Sequence, residues 1–201
     1  MQFSEILIAS YENHARERES SASNEFKEQE KHEFRKYLRS ERRNTILELG
    51  CGPGHDARFF QKQGFQILAI DAAPTMVQLA KQKGVNARIL DCYDLDQMVE
   101  TFDAVYSMNC LLHIPQNDIL HILDLISARL NEGGLLYLGL WGGEDFEGIW
   151  EKDRYEPKRF FSFRKTETLL GVVHQSFEVE YFRRIEARKG MFFNSLISRK
   201  R

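Results

Sequence analysis

Apolar residues in this chain fall into two alternating kinds of run. The first kind is short and nearly continuous: Ile46-Leu47-Glu48-Leu49, Ile67 to Ile70, Ala87 to Leu90, Phe102 to Met108 and Leu135 to Trp141. Runs of that length and density suit strands buried on both faces. The second kind has helical spacing. Ala57, Phe59 and Phe60 form one such stretch, stopped by Gly64. Met76, Val77, Leu79 and Ala80 form another, which starts at Pro74 and stops at Gly84; proline is tolerated in a first helical turn. A strongly amphipathic stretch runs from Ile119 to Leu130. The pattern predicts strands over 45–50, 66–71, 87–90, 102–108 and 135–141. Helices are expected over 55–63, 74–84 and 118–130, with a short polar one over 94–100. Strand and helix alternate, so the sheet is expected to be parallel with helices on both faces. A helix over 166–174 then precedes two strands, 177–185 and 191–197, joined as a hairpin at Ala187-Arg188-Lys189-Gly190. The expected fold class is α/β: a seven-stranded, doubly wound, mostly parallel sheet with a C-terminal antiparallel hairpin.

Two segments stand outside this alternation. Residues 1–43 interleave Glu with Arg and Lys around a sparse apolar stripe of Phe26, Phe34, Tyr37 and Leu38, which predicts one or two surface helices. Residues 142–163 mix six acids with Phe146, Trp150, Tyr155, Phe160, Phe161 and Phe163. That stretch is too aromatic for a disordered linker and has no clean period. With no repeat and no compositional break, residues 1–201 are expected to form a single domain.

Composition narrows the function classes. Apolar content of 42% and charged content of 29% are those of an ordinary globular chain. The net charge of −2 carries no nucleic-acid signature. The basic C-terminal residues, Arg183 to Arg201, are read as a solvated edge, with nucleic-acid binding unlikely. No apolar run approaches a membrane span. The first residues lack the pattern of a secretory leader. Cys51, Cys92 and Cys110 have no metal-ligand spacing, so no metal is expected and reduced thiols in a cytoplasmic setting are.

The candidate chemistry gathers at the first strand. Gly50, Gly52 and Gly54 alternate between that strand and a helix, a turn in which a ligand can approach the backbone closely. The second strand ends in Asp71, where a nucleotide ribose could be held. The dinucleotide fingerprint wants G-x-G-x-x-G, whereas this chain has G-x-G-x-G with Glu48 before it. The pattern Glu48-x-Gly50-x-Gly52-x-Gly54, followed in order by Asp71, Asp91 and the strand at 102–108, resembles the class I S-adenosylmethionine (SAM) dependent methyltransferases over roughly residues 44–140. Another Rossmann-like nucleotide binder is the competing reading.

The resemblance implies SAM as cofactor and S-adenosylhomocysteine as product. It implies that Gly50, Cys51, Gly52 and Gly54 line the amino-acid tail and ribose, with Glu48 facing the tail's ammonium or, alternatively, tying down loop N–H groups. It implies Asp71 on the ribose hydroxyls, with a helix N-cap as the plainer role, and Ala72 and Met76 on the adenine, where Met76 could equally be helix core. Asp91, Cys92 and Tyr93 would meet the adenine edge, Asp91 being otherwise a turn acid. Met108 and Asn109 would sit beside the sulfonium. Residues 1–43 would form a helical cap, with Tyr11 either near the methionine end of SAM or only anchoring that cap. His113 is the candidate general base, or else a histidine that orders its loop. Residues 142–163 would form a substrate lid, and Trp141, Trp150, Tyr155 and Arg159 would face a small-molecule acceptor, possibly amine-bearing because aromatics there stand beside acids. Methylation of RNA or protein, and SAM binding without catalysis, are the alternative functions.

Overall fold

The structure is a computed structural model that describes residues 2–21, 24–188 and 190–201. Five parallel strands carry the core: β1 (Thr45–Leu49), β2 (Gln66–Asp71), β3 (Ala87–Ile89), β4 (Phe102–Met108) and β5 (Leu130–Gly142). A small pair, β6 (Phe146–Ile149) and β7 (Phe160–Phe163), follows, and the long hairpin of β8 (Phe177–Arg188) and β9 (Met191–Lys200) closes the chain. The main sheet has the order β3-β2-β1-β4-β5-β9-β8. β1 pairs in parallel with both β2 and β4, whereas β9 runs antiparallel to β5 and β8. The chain therefore winds outward from β1 to β3 and returns to β4 on the other side of β1. That reversal opens a crevice at the carboxyl ends of β1 and β4.

Both faces of the sheet are covered, which explains the near-continuous apolar runs. Successive residues of a strand point to opposite faces. Leu47, Leu49, Val105, Leu136 and Leu138 meet α6 (Ile119–Arg129) and α7 (Thr166–Ser176) through Ile122, Leu123, Ile126, Leu169 and Val173. Ile46, Ala104, Tyr106, Leu135 and Tyr137 face α3 (Glu25–Ser40) and α4 (His55–Lys62).

Between Met1 and β1 the described residues hold three helices, α1 (Gln2–Asn13), α2 (Ala15–Ser20) and α3, where one or two surface helices were expected. α3 is more than a surface helix. Phe34 and Leu38 have no exposed surface, and the Phe34 ring packs on Phe60, Tyr106 and Tyr137. The spacing of Phe26, Phe34 and Leu38 lays one narrow stripe on the sheet, and the buried charges beside it are paired, Glu30 with Arg183 and Lys31 with Asp56. α5 (Pro74–Gln82) covers the far side of β2 and receives the cap: Thr75 donates to Glu12 from its backbone at 2.8 Å and from its hydroxyl at 2.5 Å.

Other boundaries moved. The helix expected at 94–100 is a 3₁₀ turn over Cys92–Gln97, and the loop after β4 contains another over Leu111–His113. β5 begins at Leu130, five residues early, because Leu130 already pairs with Phe102 and residues 131–134 are taken up in an irregularity before Leu135 pairs with Ala104. Of the expected hairpin turn, Lys189 lies outside the described residues. Two of the basic C-terminal side chains are tied down by acids: Arg183 pairs with Glu30, and Arg199 with Glu41 and Glu180. No helix among the described residues is long and apolar enough to cross a membrane.

Candidate active site

A cleft of about 500 Å³ opens at the switch point. Gly50 and Gly52 belong to its wall, as do Asp71, Ala72 and Met76. Asp91, Cys92 and Tyr93 line it from β3's end, Met108, Asn109 and His113 from β4's end, and Tyr11 from α1. A Cβ added at Gly52, whose φ is +52°, would meet no protein atom within 4 Å, so glycine there leaves the cleft floor open. Gly54 has a different duty. It caps α4 at φ +80°, and a Cβ would lie 2.7 Å from that of Ala80. Gly54, Cys51 and Glu48 are not in the cleft wall.

Glu48 is buried in β1 beneath the glycine turn, with Oε2 unpartnered. Burial, reinforced by Asp56, pushes its carboxyl well above the usual range, and the backbone N–H of Ala57 at the start of α4 opposes that shift. Asp71 accepts from the Gly52 N–H at 2.8 Å on one oxygen and from the Ala73 N–H at 2.9 Å on the other. It thus ties the glycine turn to the start of α5, yet each oxygen keeps a further acceptor position. Burial raises its pKa against those two bonds. Asp91 accepts from the Ser4 hydroxyl of α1 at 3.0 Å and from the Tyr93 N–H at 3.2 Å, and the Tyr93 hydroxyl donates to Asp118 at 2.7 Å. Met76 is buried against Ala15 and Ala73, so it fills α5's core face as well as the cleft wall. The three thiols are free; burial pushes Cys51 well up and a hydrogen bond with Cys110 does the same to Cys92, which leaves both as thiols. Among the described residues no cluster of His, Cys, Asp and Glu could hold a metal.

Asn109 marks the end of β4 with φ +57°, uncommon for a non-glycine residue. Its N–H bonds to the Gly139 carbonyl at 2.7 Å, while its Oδ1 is buried and unpartnered. Beside it, His113 Nδ1 lies 2.7 Å from the Phe160 carbonyl and Nε2 lies 2.8 Å from the Tyr11 hydroxyl. A carbonyl only accepts, so Nδ1 carries the hydrogen and Nε2 of the neutral ring accepts from Tyr11. Burial lowers the His113 pKa to about 3. The lone pair that a general base would use is thus already engaged.

A second cavity of about 240 Å³ adjoins the cleft. Tyr11, Arg18, Asn109 and His113 line both. Trp141, Trp150 and Arg159 line the second one, with Phe161, Phe163 and Lys27. Tyr155 does not. It is buried, stacked on His14 at 4.1 Å and covered by the Arg159 guanidinium at 4.2 Å, so it joins the cap to the segment after β5. Arg159 makes a two-point ion pair with Asp153, with both bonds at 2.8 Å, and donates to the Tyr11 hydroxyl at 3.0 Å. Although burial pulls the other way, that pair holds the Asp153 carboxyl below its usual range.

The acids expected to rim this region point elsewhere. Asp153 is spent on Arg159, Glu144 on Lys165 and Glu147 on the Gln116 N–H and Ser162. Among the described residues no carboxylate lines the second cavity. Two residues of this region were missed in the sequence. Arg18 and Lys27 looked like members of a balanced charge pattern, and only the packing of α2 and α3 across the crevice distinguishes them from their neighbours.

Residues 46–134 match the family described as "Methyltransferase domain". The chain is 35% identical over 127 residues to trans-aconitate 2-methyltransferase of Mycobacterium tuberculosis, a stretch that covers 62% of this chain and 45% of that protein. It is 31% identical over 100 residues to the ubiquinone biosynthesis O-methyltransferase of Xanthomonas campestris, covering 46% of this chain and 41% of that one. The chain therefore matches less than half the length of these curated relatives. Among solved structures, the fold resembles the Burkholderia thailandensis 1,6-didemethyltoxoflavin-N1-methyltransferase, crystallised with 1,6-didemethyltoxoflavin and S-adenosylhomocysteine. That likeness has a TM-score of 0.78 at 18% identity, over 99% of this chain and 89% of the other. At that identity it speaks for the fold alone.

Proposed function

We propose that this chain, whose residues 46–134 match a methyltransferase domain and whose fold resembles that of a methyltransferase crystallised with S-adenosylhomocysteine, is a class I SAM-dependent methyltransferase that binds SAM in the larger cleft and passes a methyl group to an oxygen or nitrogen of a small molecule held in the adjoining cavity. The observation that carries the reading is the shared wall. Tyr11, Arg18, Asn109 and His113 border both spaces, so a donor in one and an acceptor in the other would meet at the end of β4.

The residues fit the group. The Gly52 backbone leaves room for close approach, and the spare acceptor positions of Asp71 suit a pair of ribose hydroxyls. Among the described residues Arg18 is the one arginine or lysine in the wall of the larger cleft, and it has a buried, unpartnered Nε, which suits the carboxylate of an amino-acid tail. The unpartnered Oδ1 of Asn109 suits a cationic centre next to it. Bound there, SAM would supply a methyl group activated by its sulfonium, with the neutral thioether S-adenosylhomocysteine as the leaving group. The chain's own part is to orient and to exclude water. His113 is assigned a positioning role: neutral and bonded at both nitrogens, it holds Tyr11 over the junction. Trp141, Trp150, Phe161 and Phe163 supply the acceptor's apolar wall, and a cavity of this size favours a small molecule over RNA or a protein.

The test is transfer of labelled methyl from SAM into a cell extract separated into small-molecule, RNA and protein fractions. Label among small molecules is the expected result. Label confined to RNA or protein would overturn the acceptor class, and failure of SAM to raise the melting temperature would overturn cofactor binding.

A further inference from the structure

The second cavity carries charge of one sign. Arg18, Lys27 and Arg159 line it, and among the described residues no acid does. Asp153 neutralises Arg159 through two bonds. Among the described residues, Arg18 and Lys27 have no ion-pair partner. They reach the cavity from different elements, α2 and α3. The other acid near Lys27, Asp56 of α4, already holds Lys31 at 2.7 Å. Lys27 instead lies over two rings, with its Nζ 5.6 Å from the centre of Trp141 and 5.7 Å from that of Phe193. Burial and the neighbouring Arg18 lower its pKa to about 8. Lys27 is half-buried, and a partly desolvated cation without a counter-ion is stabilised by a ligand that supplies the missing charge.

We propose that the second cavity is an acid-binding acceptor site, which takes a small flat molecule whose carboxylate lies against the Lys27 ammonium and whose body lies between Trp141, Trp150 and Phe161. The proposal rests on the reading of the larger cleft as the SAM site, because there the carboxylate of the methionyl tail takes Arg18 and leaves Lys27 for the acceptor. An amine-bearing acceptor, expected from the acids of residues 144–156, would bring a further cation to a wall that already holds uncompensated ones. A neutral acceptor would leave Lys27 as it is.

The chain has only two tryptophans, Trp141 and Trp150, and both line this cavity. Intrinsic fluorescence therefore reports on it directly. Protein saturated with S-adenosylhomocysteine is titrated with benzoate and cinnamate, with the matching amides, and with benzylamine. The acids are expected to bind about tenfold more tightly than their amides, as a charge-assisted contact implies, and benzylamine the most weakly. Lys27→Gln should erase the difference between acid and amide, and Lys27→Arg should keep it. Equal binding of acid and amide, preference for the amine, or no response to any acid at millimolar concentration would overturn the proposal. So would an acid preference that survives Lys27→Gln in protein that still binds S-adenosylhomocysteine. If that variant fails to fold, the comparison on the wild-type chain decides by itself. Loss of S-adenosylhomocysteine binding by the wild-type chain would instead sink the reading of the larger cleft.

Discussion

Tyr11 and His113, 102 positions apart, are joined by a hydrogen bond of 2.8 Å from the tyrosine hydroxyl to Nε2. The bond fastens the N-terminal cap to the loop after β4, at the place where the two cavities meet. Its surroundings are fully committed: Arg159 donates to the same hydroxyl at 3.0 Å, and the Phe160 carbonyl takes the other imidazole hydrogen. Replacing Tyr11 by Phe leaves a buried imidazole nitrogen without its donor. The expected loss is about 1–2 kcal/mol of stability in urea unfolding, the cost of one orphaned buried group. Methyl transfer should fall more steeply than SAM affinity, since the bond orders the junction rather than the nucleoside end. A variant with wild-type stability and turnover would show that the bond is dispensable.

His113 makes stability depend on pH. Its pKa is lowered to about 3 in the folded chain, against an ordinary value of about 6.5. The unfolded chain thus binds more protons between those values, so stability is complete above about pH 6.5 and is lost as pH falls toward 3. From about pH 7 to about pH 5 this one group should cost about 2 kcal/mol. His113→Asn would be less stable at neutral pH but should show a shallower decline over that window. Parallel declines of the two proteins would refute the assignment.

Lys27 has the opposite consequence. Its depressed pKa means that charge is disfavoured in the folded chain, and the penalty is fully present below about pH 8 and relieved as pH rises toward 10.5. Arg18 and Asp56 are the charged groups that face it, and they act in opposite directions. Lys27→Met should therefore stabilise the protein by about 1 kcal/mol at neutral pH, a gain of about 3 °C in melting temperature. The gain should shrink above pH 8. A fall in melting temperature at neutral pH would mean that the ring contacts of the lysine outweigh its desolvation.

Gly52 tests the cleft floor. Valine there must adopt a φ of +52°, at a strain of about 1–2 kcal/mol, but its Cβ meets no protein atom within 4 Å. Gly52→Val should fold, with a melting temperature lower by a few degrees, and lose at least about tenfold in SAM affinity by calorimetry. Unchanged affinity would place the cofactor elsewhere.

The sequence by itself determined the frame. Runs such as Phe102 to Met108 can only be central strands, because both faces of such a strand must be covered. That Gly50, Gly52 and Asp71 would share one cleft wall was legible because the turn and the strand tip are local features, separated by few residues from the elements that aim them. The short strands β6 and β7 escaped notice, since consecutive aromatics in Phe160 to Phe163 are all buried and show no alternation. The cavity next to the cleft could not be read at all. Its walls come from α2, α3, β5 and the segment around β7, so the charge of the site depends on which partners Arg18, Lys27 and Arg159 find in space. Along the chain, Asp153 and its neighbours made that segment look acidic. In three dimensions Asp153, Glu144 and Glu147 are engaged by their own partners, no acid of the described residues lines the cavity, and the charged side chains that do are positive. Periodicity sets which face of an element is buried, whereas only tertiary packing decides which charges are left uncompensated there.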